Sequence, residues 1–142
     1  MTVDSQTRLR SVSLRVTRPR LAVLAVLNDH RHVDAETVLA LVRAGHPEVS
    51  RQTVYDVLRA LTNTGLVRRI QPAGATARYE ARVADNHHHV VCRSCGAIAD
   101  VDCVVGHAPC LTASGDHGFV IDEAEVVLWG SCPACATARF PQ

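Results

Sequence analysis

Two Cys-x-x-Cys motifs lie in the second half of the chain, at Cys92/Cys95 and Cys132/Cys135. Four thiolates can surround one Zn²⁺ in the closed tetrahedral arrangement of a structural site. The interval between the motifs is longer than in a compact zinc ribbon, so a shared ion would hold the two ends of this half together. Such a site supplies on the order of 10 kcal/mol of folding free energy. The other interpretations are two disulfides or a redox-active Cys-x-x-Cys.

Three histidines, His87, His88 and His89, shortly precede the first motif. On a β-strand, His87 and His89 would share one face and His88 would point to the other. A four-cysteine site needs no imidazole, so the histidines are available for a second metal. Glu80 and Asp100 add carboxylate oxygens nearby, and a thiol-free set of imidazoles and carboxylates suits Fe²⁺, Mn²⁺ or Zn²⁺. The alternative is a polar, solvated strand end.

Charge is divided unevenly along the 142 residues, which is enough chain for one domain or two. Residues 1–84 contain 13 arginines and 7 acids, a net charge of +6, whereas residues 85–142 contain 2 arginines and 7 acids, a net charge of −5. A basic half suits phosphate binding and an acidic half suits cations. We therefore predict a DNA-binding domain over residues 1–84 and a metal-binding domain over residues 85–142.

The first half has the pattern of three helices followed by a β-hairpin. Thr17, Asp34 and Ser50 are suitable N-cap residues, and each precedes apolar residues at helical spacing. Residues 66–71 and 76–80 then form two strand-like runs around a turn that contains proline and glycine. This order of elements predicts a winged helix-turn-helix.

The second half has the pattern of a small α/β unit. We predict short strands at residues 90–92, 98–101, 119–121 and 125–129, and a partial helix within residues 103–115. The fold class is therefore α+β: an N-terminal winged helix-turn-helix DNA-binding domain plus a small C-terminal α/β domain with a structural zinc.

The third predicted helix opens with polar side chains before its apolar stripe begins. In a recognition helix, such N-terminal residues point into the major groove of double-stranded DNA. Arg51 and Gln52 are candidates to contact base edges, and Ser50, Tyr55 and Arg59 are candidates to contact phosphates. The alternative is a generic helix with a solvated arginine face. Four arginines that flank this helix or lie in the wing are further candidates for DNA contact: Arg15, Arg18, Arg20 and Arg78.

No stretch reaches the roughly 18 apolar residues of a membrane helix, and the N-terminus lacks the apolar core of a signal peptide. We therefore expect a cytoplasmic protein with no membrane partner, in a compartment where thiols stay reduced. Cys103 and Cys110 are not part of either motif. They are interpreted as small buried hydrophobic residues or, alternatively, as a thiol switch.

Taken together, these motifs resemble the ferric uptake regulator family over nearly the whole chain. Within that family they are most similar to the actinobacterial branch that controls catalase-peroxidase genes. The resemblance is carried by Arg18-Pro19-Arg20, residues 30–36, Thr53-Val54-Tyr55, Gly65-Leu66-Val67, Arg78-Tyr79-Glu80, residues 85–89 and 108–112, and both Cys-x-x-Cys motifs.

The resemblance implies a homodimeric, metal-dependent repressor that binds a palindromic operator and responds to iron or peroxide. It makes the small C-terminal α/β domain, residues 85–142, the dimerisation domain. It also implies a structural Zn²⁺ and a regulatory Fe²⁺ or Mn²⁺. The regulatory ion is expected at His32, Glu80, His87, His89 and Asp100. The spacing of the residues does not by itself reveal His32, which follows from the family pattern. In peroxide-sensing relatives the last of these positions is Asp, as here.

Some family members have a third metal site, and its positions fall on Asn86, His88, His107 and Ala124. Asn86 and Ala124 do not match the expected ligands. His88 and His107 are therefore left as the ligands of a weak third site at most.

Three alternatives belong to other classes or subclasses. A zinc hydrolase or deaminase is the enzyme alternative, but a deaminase has proline directly before its Cys-x-x-Cys, whereas Pro133 lies between the cysteines. A zinc- or manganese-responsive repressor of the same family is the second alternative. The third is a thiol-based redox switch that uses Cys103 and Cys110. We expect no enzymatic activity.

Overall fold

The computed structural model describes residues 4–72, 74–81, 87–102, 114–121 and 126–139. The chain divides into two compact units, Met1–Ala84 and Asp85–Gln142, and each is described by itself. Among the described helices, none has the length and apolar character that crossing a bilayer requires. The elements in chain order are α1 (Ser5–Ser11), α2 (Arg18–Asp29), β1 (Val33–Asp34), α3 (Ala35–Gly45), α4 (Arg51–Asn63), β2 (Arg68–Ile70), β3 (Arg78–Glu80), β4 (His87–Cys92), β5 (Ile98–Asp102), β6 (Val127–Gly130) and α5 (Pro133–Arg139).

The three predicted helix starts are confirmed by their capping hydrogen bonds. The side chains of Thr17, Asp34 and Ser50 cap α2, α3 and α4, and each accepts from the backbone N–H three residues later, at 3.3, 2.7 and 3.1 Å. These bonds satisfy N–H groups that have no partner within the helix. Gly65 follows α4 with a φ of 80°, a conformation that glycine adopts without steric cost and that turns the chain toward the wing.

The core of the first unit lies among its helices, and the apolar stripe of α4 is fully part of it. The opposite side of α4 is exposed, including Arg51, Gln52, Tyr55 and Arg59. The helix is thus fixed by one face and presents the other to solvent. The buried core residues are Leu9, Val23, Leu24, Leu27, Val38, Leu39, Val42, Val49, Val54, Val57, Leu58, Leu61, Leu66 and Val67.

A three-stranded antiparallel sheet completes the first unit, with strand order β1-β3-β2. The predicted hairpin is confirmed as β2 and β3, in which Arg69 is opposite Tyr79. The additional strand β1 was not predicted. It contains Val33 and Asp34 and pairs with β3 so that Val33 is opposite Tyr79. This pairing attaches the segment before α3 to the wing.

The second unit contains a sheet with strand order β5-β4-β6, in which β4 is central. Strand β4 pairs antiparallel with β5 and parallel with β6. It begins at His87, three residues before the predicted start, and therefore includes the histidine run. The short helix α5 was not predicted, and two residues separate it from the end of β6.

One predicted strand is wrong. Residues 119–121 have an irregular backbone, and Phe119, Val120 and Ile121 are 74%, 96% and 55% exposed. Aromatic and β-branched residues favour strands, which is why the sequence suggested one. A strand also needs hydrogen bonds from a neighbour, and no strand in the described part of the chain pairs with this segment. Most of the predicted partial helix, residues 103–113, lies outside the described residues.

Candidate metal sites and nucleic-acid interface

The first Cys-x-x-Cys motif is formed by the end of β4 and the turn that follows. Cys92 is the last residue of β4, its N–H donates to the Ala97 carbonyl at 2.9 Å, and its carbonyl accepts from the N–H of Gly96 at 3.0 Å. Gly96 has a φ of 77°, which a residue with a side chain would adopt only with strain. The turn therefore brings Cys95 back over the end of the strand.

The second motif is held against the first by the sheet. Cys92 is opposite Gly130 in the parallel pairing of β4 and β6, and the N–H of Arg93 donates to the Gly130 carbonyl at 2.8 Å. Cys132 directly precedes α5, whose first turn carries Cys135. The guanidinium of Arg93 also lies over the Trp129 ring of β6, 5.4 Å from its centroid.

The four cysteines form a compact cluster whose dimensions fit Zn²⁺. All four Sγ atoms lie within 4.8 Å of one another, and the Sγ atoms of Cys95 and Cys132 are 3.7 Å apart. Zn–S bonds of about 2.3 Å place the sulfurs of a tetrahedral site about 3.8 Å apart. The cluster therefore matches the spacing that a closed four-thiolate zinc site requires.

Three of the thiols have shifted acidities because they share one small volume. Backbone hydrogen bonds at Cys132 and then Cys95 lower the pKa of Cys92 to about 6. The side chain of Cys132, followed by those of Cys92 and Cys95, raises the pKa of Cys135 to about 12. For Cys95, the backbone of Ala97 lowers the pKa, but the neighbouring thiols outweigh this effect and the net shift is upward. One thiolate is favoured, while neighbouring thiols retain protons that a cation would displace.

The second group of donors lies on one face of the β4/β5 pair. His87 and His89 are buried and His88 is half-buried, which confirms that the first two share a face and that His88 belongs to the other. His89 is directly opposite Asp100 in the antiparallel register. The Nε2 atoms of His87 and His89 lie 3.7 and 3.4 Å from Asp100 Oδ1. The structure therefore brings these three predicted residues together.

The geometry of this trio fits a first-row metal ion. Ligands at about 2.1 Å from a metal lie roughly 3.0–3.4 Å apart in octahedral or tetrahedral sites, close to the observed His89–Asp100 distance. The rings of His87 and His89 meet edge to face, with centroids 4.9 Å apart. Two imidazoles and one carboxylate are a common donor set for Fe²⁺ and Mn²⁺.

The first unit holds a further pair of buried donors. His32 Nε2 lies 3.2 Å from Glu80 Oε2, and the two side chains are 6% and 3% exposed. The pairing of β1 with β3 explains this contact, because His32 directly precedes Val33, which is opposite Tyr79, and Glu80 directly follows Tyr79. The missed strand β1 is thus the element that aligns His32 with the end of the wing. A two-residue strand carries no periodic signal that could have predicted it.

Three other candidate residues lie outside the described part of the chain. They are His107, Cys103 and Cys110. The weak third site and the thiol switch therefore remain predictions. His88, the other residue of the third site, is half-buried on β4.

The N-terminal end of α4 carries a polar network that reaches α3. Glu36, in the first turn of α3, accepts hydrogen bonds from the Arg51 guanidinium and, at 2.7 Å, from the Tyr55 hydroxyl. The hydrogen bond to Glu36 is the largest cause of the raised pKa of Tyr55, and Arg51 opposes this shift. Arg51 and Tyr55 are thus held side by side on the exposed face of the helix.

The remaining candidates for DNA contact are distributed around this helix. Gln52 Nε2 donates to Asp56 Oδ1 at 2.8 Å, and Arg59 Nη1 lies 3.8 Å from the same carboxylate oxygen. Arg15 and Arg18 are exposed just before and at the start of α2. Two other arginines are engaged with backbone: Arg20 donates to the Arg15 carbonyl at 2.7 Å, and Arg78 donates to the His32 carbonyl at 3.1 Å.

Comparison with known proteins identifies the family. The family model described as "Ferric uptake regulator family" matches residues 11–128. "Transcriptional regulator FurA" of Mycobacterium tuberculosis is 65% identical over 133 residues, which cover 94% of this chain and 90% of the relative. "Ferric uptake regulation protein 2" of Mycolicibacterium fortuitum is 64% identical over 140 residues, which cover 96% of each chain.

A solved structure supports the fold assignment. The ferric uptake regulator from Pseudomonas aeruginosa with manganese is 26% identical, has a TM-score of 0.70, and the match covers 92% of this chain and 99% of that one. The predicted α+β class with a winged helix-turn-helix is confirmed, and the hydrolase and deaminase alternative is dropped because the relatives are transcriptional regulators. The family match over residues 11–128 and the mycobacterial identities show that this chain belongs to the ferric uptake regulator family of metal-responsive transcriptional regulators.

Proposed function

We propose that this chain is a homodimeric repressor that binds operator DNA when Fe²⁺ occupies a regulatory site. The ligands of that site would be His32, Glu80, His87, His89 and Asp100. The observation that carries the proposal is that each unit contains a group of buried imidazole and carboxylate donors, and that neither group includes a thiol. Buried ionisable groups are rare in proteins unless they pair with one another or bind a metal.

The donor chemistry separates two metals. Four thiolates favour Zn²⁺ at the cysteine cluster, which would be structural because it leaves no open position. His87, His89 and Asp100 instead form a set of two imidazoles and a carboxylate, which suits Fe²⁺. Mn²⁺ accepts the same donors, so a manganese-responsive repressor is the nearest alternative, and a zinc-responsive one is the next.

The number of donors favours one regulatory ion rather than two. The first unit offers two of the proposed ligands, His32 and Glu80, and two ligands bind a divalent ion weakly. The second unit offers three, and five donors together come close to the six positions of an octahedral site. We therefore propose that a single ion takes ligands from both units.

The DNA-binding surface proposed for this chain is the exposed face of α4. Arg51 and Gln52 would contact base edges, and Ser50, Tyr55 and Arg59 would contact phosphates. Arg15, Arg18 and Arg20 would extend the phosphate contacts beside the helix. Arg78, in the wing, is a further candidate for contact with DNA.

A homodimer would present two such helices to a palindromic, double-stranded operator. The exposed apolar side chains of Phe119, Val120 and Ile121 support association through the second unit, because a run of this kind in water marks an interaction surface. Ligands drawn from both units would restrict the position of each α4 and so set the distance between the two recognition helices. Metal would then shift an existing equilibrium, and operator DNA should tighten metal binding in return.

Peroxide would reverse this repression. An Fe²⁺ ion held by the proposed ligands would promote cleavage of the peroxide O–O bond, so that one oxygen atom is transferred to an imidazole ligand and the other leaves as water. The imidazoles of His87 and His32 are the candidates for oxidation, because they would be direct ligands. Release from the operator would then induce genes whose products remove peroxide, which is consistent with control of catalase-peroxidase genes and oxidative-stress genes.

The proposal is tested by operator binding of the zinc-loaded protein without oxygen. The protein is titrated separately with Fe²⁺, Mn²⁺ and Zn²⁺, before and after peroxide. We expect Fe²⁺ to promote binding and peroxide to abolish it, with one oxygen atom added to His32, His87 or His89 in mass spectrometry. Promotion by Zn²⁺ or Mn²⁺ alone would establish the alternative metal, and unmodified histidines with intact DNA binding would exclude ligand oxidation.

The thiol switch is separated from metal sensing by replacing Cys103 and Cys110 with serine. An unchanged peroxide response in this double variant is the expected result. Loss of the response would transfer the sensing role to these two thiols.

A further inference from the structure

His32 has an unusual backbone conformation for a residue with a side chain. Its φ is 55°, in the left-handed region that glycine adopts freely and other residues adopt at a cost. Such conformations persist where surrounding contacts hold them, and they concentrate at functional sites. The contacts that hold His32 are therefore of interest, because its imidazole lies 3.2 Å from Glu80.

One of these contacts comes from Arg78 in the wing. Arg78 Nη1 donates to the His32 backbone carbonyl at 3.1 Å. In the strand pairing Arg78 is opposite Asp34, two residues beyond His32, and a diagonal distance of this kind is within reach of a long side chain. Arg78 is half-buried, so this hydrogen bond is partly shielded from water.

Arg78 and Glu80 both contact His32. The two residues are separated by one position on β3, so their side chains leave the same face of the strand. Glu80 lies against the imidazole of His32, and Arg78 bonds to the carbonyl of the same residue. A single three-residue strand thus fixes both the ring and the backbone of His32.

Arg78 is also close to the start of the DNA-binding motif. Asp34 caps α3 by accepting from the Thr37 N–H at 2.7 Å. Hydrogen bonds from Thr37 are the main reason that the pKa of Asp34 is lowered, and the positive charge of Arg78 contributes to the same shift. Arg78 therefore lies between the cap of α3 and the backbone of His32.

We propose that Arg78 is a positioning residue that holds His32 in its metal-binding conformation. The guanidinium bond to the His32 carbonyl offsets the strain of the left-handed backbone and keeps the imidazole directed at Glu80. This role differs from the DNA contact for which Arg78 was a candidate. The inference rests on the proposed function, which makes His32 a ligand of the regulatory metal.

The test compares Arg78→Gln with Arg69→Gln in the zinc-loaded protein. Arg69 is the matched control, because it is an exposed arginine on the neighbouring strand β2. Its guanidinium donates to the Gln71 side chain, two residues further along the chain, at 2.8 Å. Mn²⁺ affinity is measured by calorimetry without DNA. We expect Arg78→Gln to weaken Mn²⁺ binding by about tenfold or more, as is typical when a group that orients a ligand is removed, and Arg69→Gln to leave it unchanged.

Two further measurements separate positioning from a general loss of structure. Arg78→Lys keeps a donor that can reach the His32 carbonyl, so it should recover part of the Mn²⁺ affinity. In the metal-free, zinc-loaded Arg78→Gln protein, backbone amides of residues 31–34 should exchange hydrogen faster, while those of α4 should be unaffected. If Arg78→Gln proves unstable, the lysine variant and the Arg69→Gln control decide the question.

His32→Ala distinguishes failure of this inference from failure of the proposed function. If His32→Ala binds Mn²⁺ as tightly as the unmodified chain, the assignment of His32 as a ligand is wrong. If His32→Ala loses affinity but Arg78→Gln does not, only the positioning role is overturned. In that case weaker operator binding with a reduced salt dependence would identify Arg78 as a phosphate contact.

Discussion

The two units of this chain are stabilised in different ways. The first unit buries a large apolar cluster that joins all four of its helices to the start of the wing. In the described part of the second unit, the buried apolar residues are Val91 and Cys92, both on the central strand. Cys92 is itself one of the four clustered thiols, and the unit also contains the buried trio of His87, His89 and Asp100. One unit is thus organised around hydrophobic contacts and the other around groups that bind cations.

The difference has a physical origin in size. A unit of fewer than about 70 residues rarely gains more than a few kcal/mol from its core, and metals are a common supplement. Because ligands must be deprotonated and brought together before they bind, the free energy of metal binding becomes folding free energy. We therefore expect the two units to respond differently to the same kinds of change.

The largest expected effect comes from Cys132→Ser. Loss of one thiolate should remove zinc and with it on the order of 10 kcal/mol from the second unit. Hydrogen exchange should accelerate throughout β4, β5 and β6, while α2, α3 and α4 keep their protection. Zinc content is measured on the same sample. Cys103→Ser is the control and should retain zinc. An equal loss of protection in both units would contradict the view that zinc stabilises only the second unit.

A smaller effect in the opposite unit is expected from Leu61→Ala. Leu61 is fully buried in α4, so its truncation should lower the free energy of unfolding of the first unit by about 2–5 kcal/mol. Zinc content should not change. Leu128→Ala is the comparison in the second unit, because Leu128 is 46% exposed and its loss should cost little. Denaturant titration with zinc analysis measures both, and parallel loss of zinc in Leu61→Ala would show that the units are not independent.

A third change tests the metal-binding face within the second unit. His89→Ala should weaken binding of the regulatory metal by more than about tenfold while the protein retains its zinc. His88→Ala is the matched control, because His88 directly precedes His89 on β4 and belongs to the opposite face of the strand. Mn²⁺ titration of the zinc-loaded variants gives the result. Equal losses of Mn²⁺ affinity in the two variants would show that the strand face on which a histidine lies does not decide whether it binds the metal.

The smallest effect concerns the N-terminal cap of α4. Ser50→Ala removes the acceptor for the Thr53 N–H and should lower the stability of the first unit by about 1 kcal/mol. Ser50→Asp keeps the cap and should retain stability, but its negative charge should weaken operator binding if this end of α4 faces phosphates. Thermal unfolding and operator binding are measured for both variants. Normal operator affinity in the aspartate variant would argue against that orientation.

The parts of the fold that the sequence predicted are those with a repeating local signal. Helix α4 follows from the Ser50 cap and an apolar stripe, and the shared face of His87 and His89 follows from the alternation of a strand. Strand β1 has only two residues, and it is a strand because β3 pairs with it. No local sequence pattern therefore predicts it. The segment at Phe119 has strand-forming residues but no paired neighbour among the described elements. Its propensity therefore gave the wrong prediction.

The candidate site shows the same limit. The two Cys-x-x-Cys motifs indicated the cysteine cluster. The alternation of a strand placed His87 and His89 on one face, and Asp100 was a nearby carboxylate in the sequence. The contact between His32 and Glu80 joins residues that are far apart in sequence, and only the pairing of β1 with β3 creates it. The family resemblance supplied His32, since the residues alone could not.

The placement of Trp129 has a practical consequence. It is the one tryptophan of the chain. Its ring, on β6, lies under the guanidinium of Arg93, and Arg93 is part of the turn that carries the first cysteine pair. Indole emission excited at long ultraviolet wavelengths therefore originates entirely from the second unit, and the two tyrosines at Tyr55 and Tyr79 report from the first. Each half of the molecule thus carries its own intrinsic optical probe, and no label has to be attached.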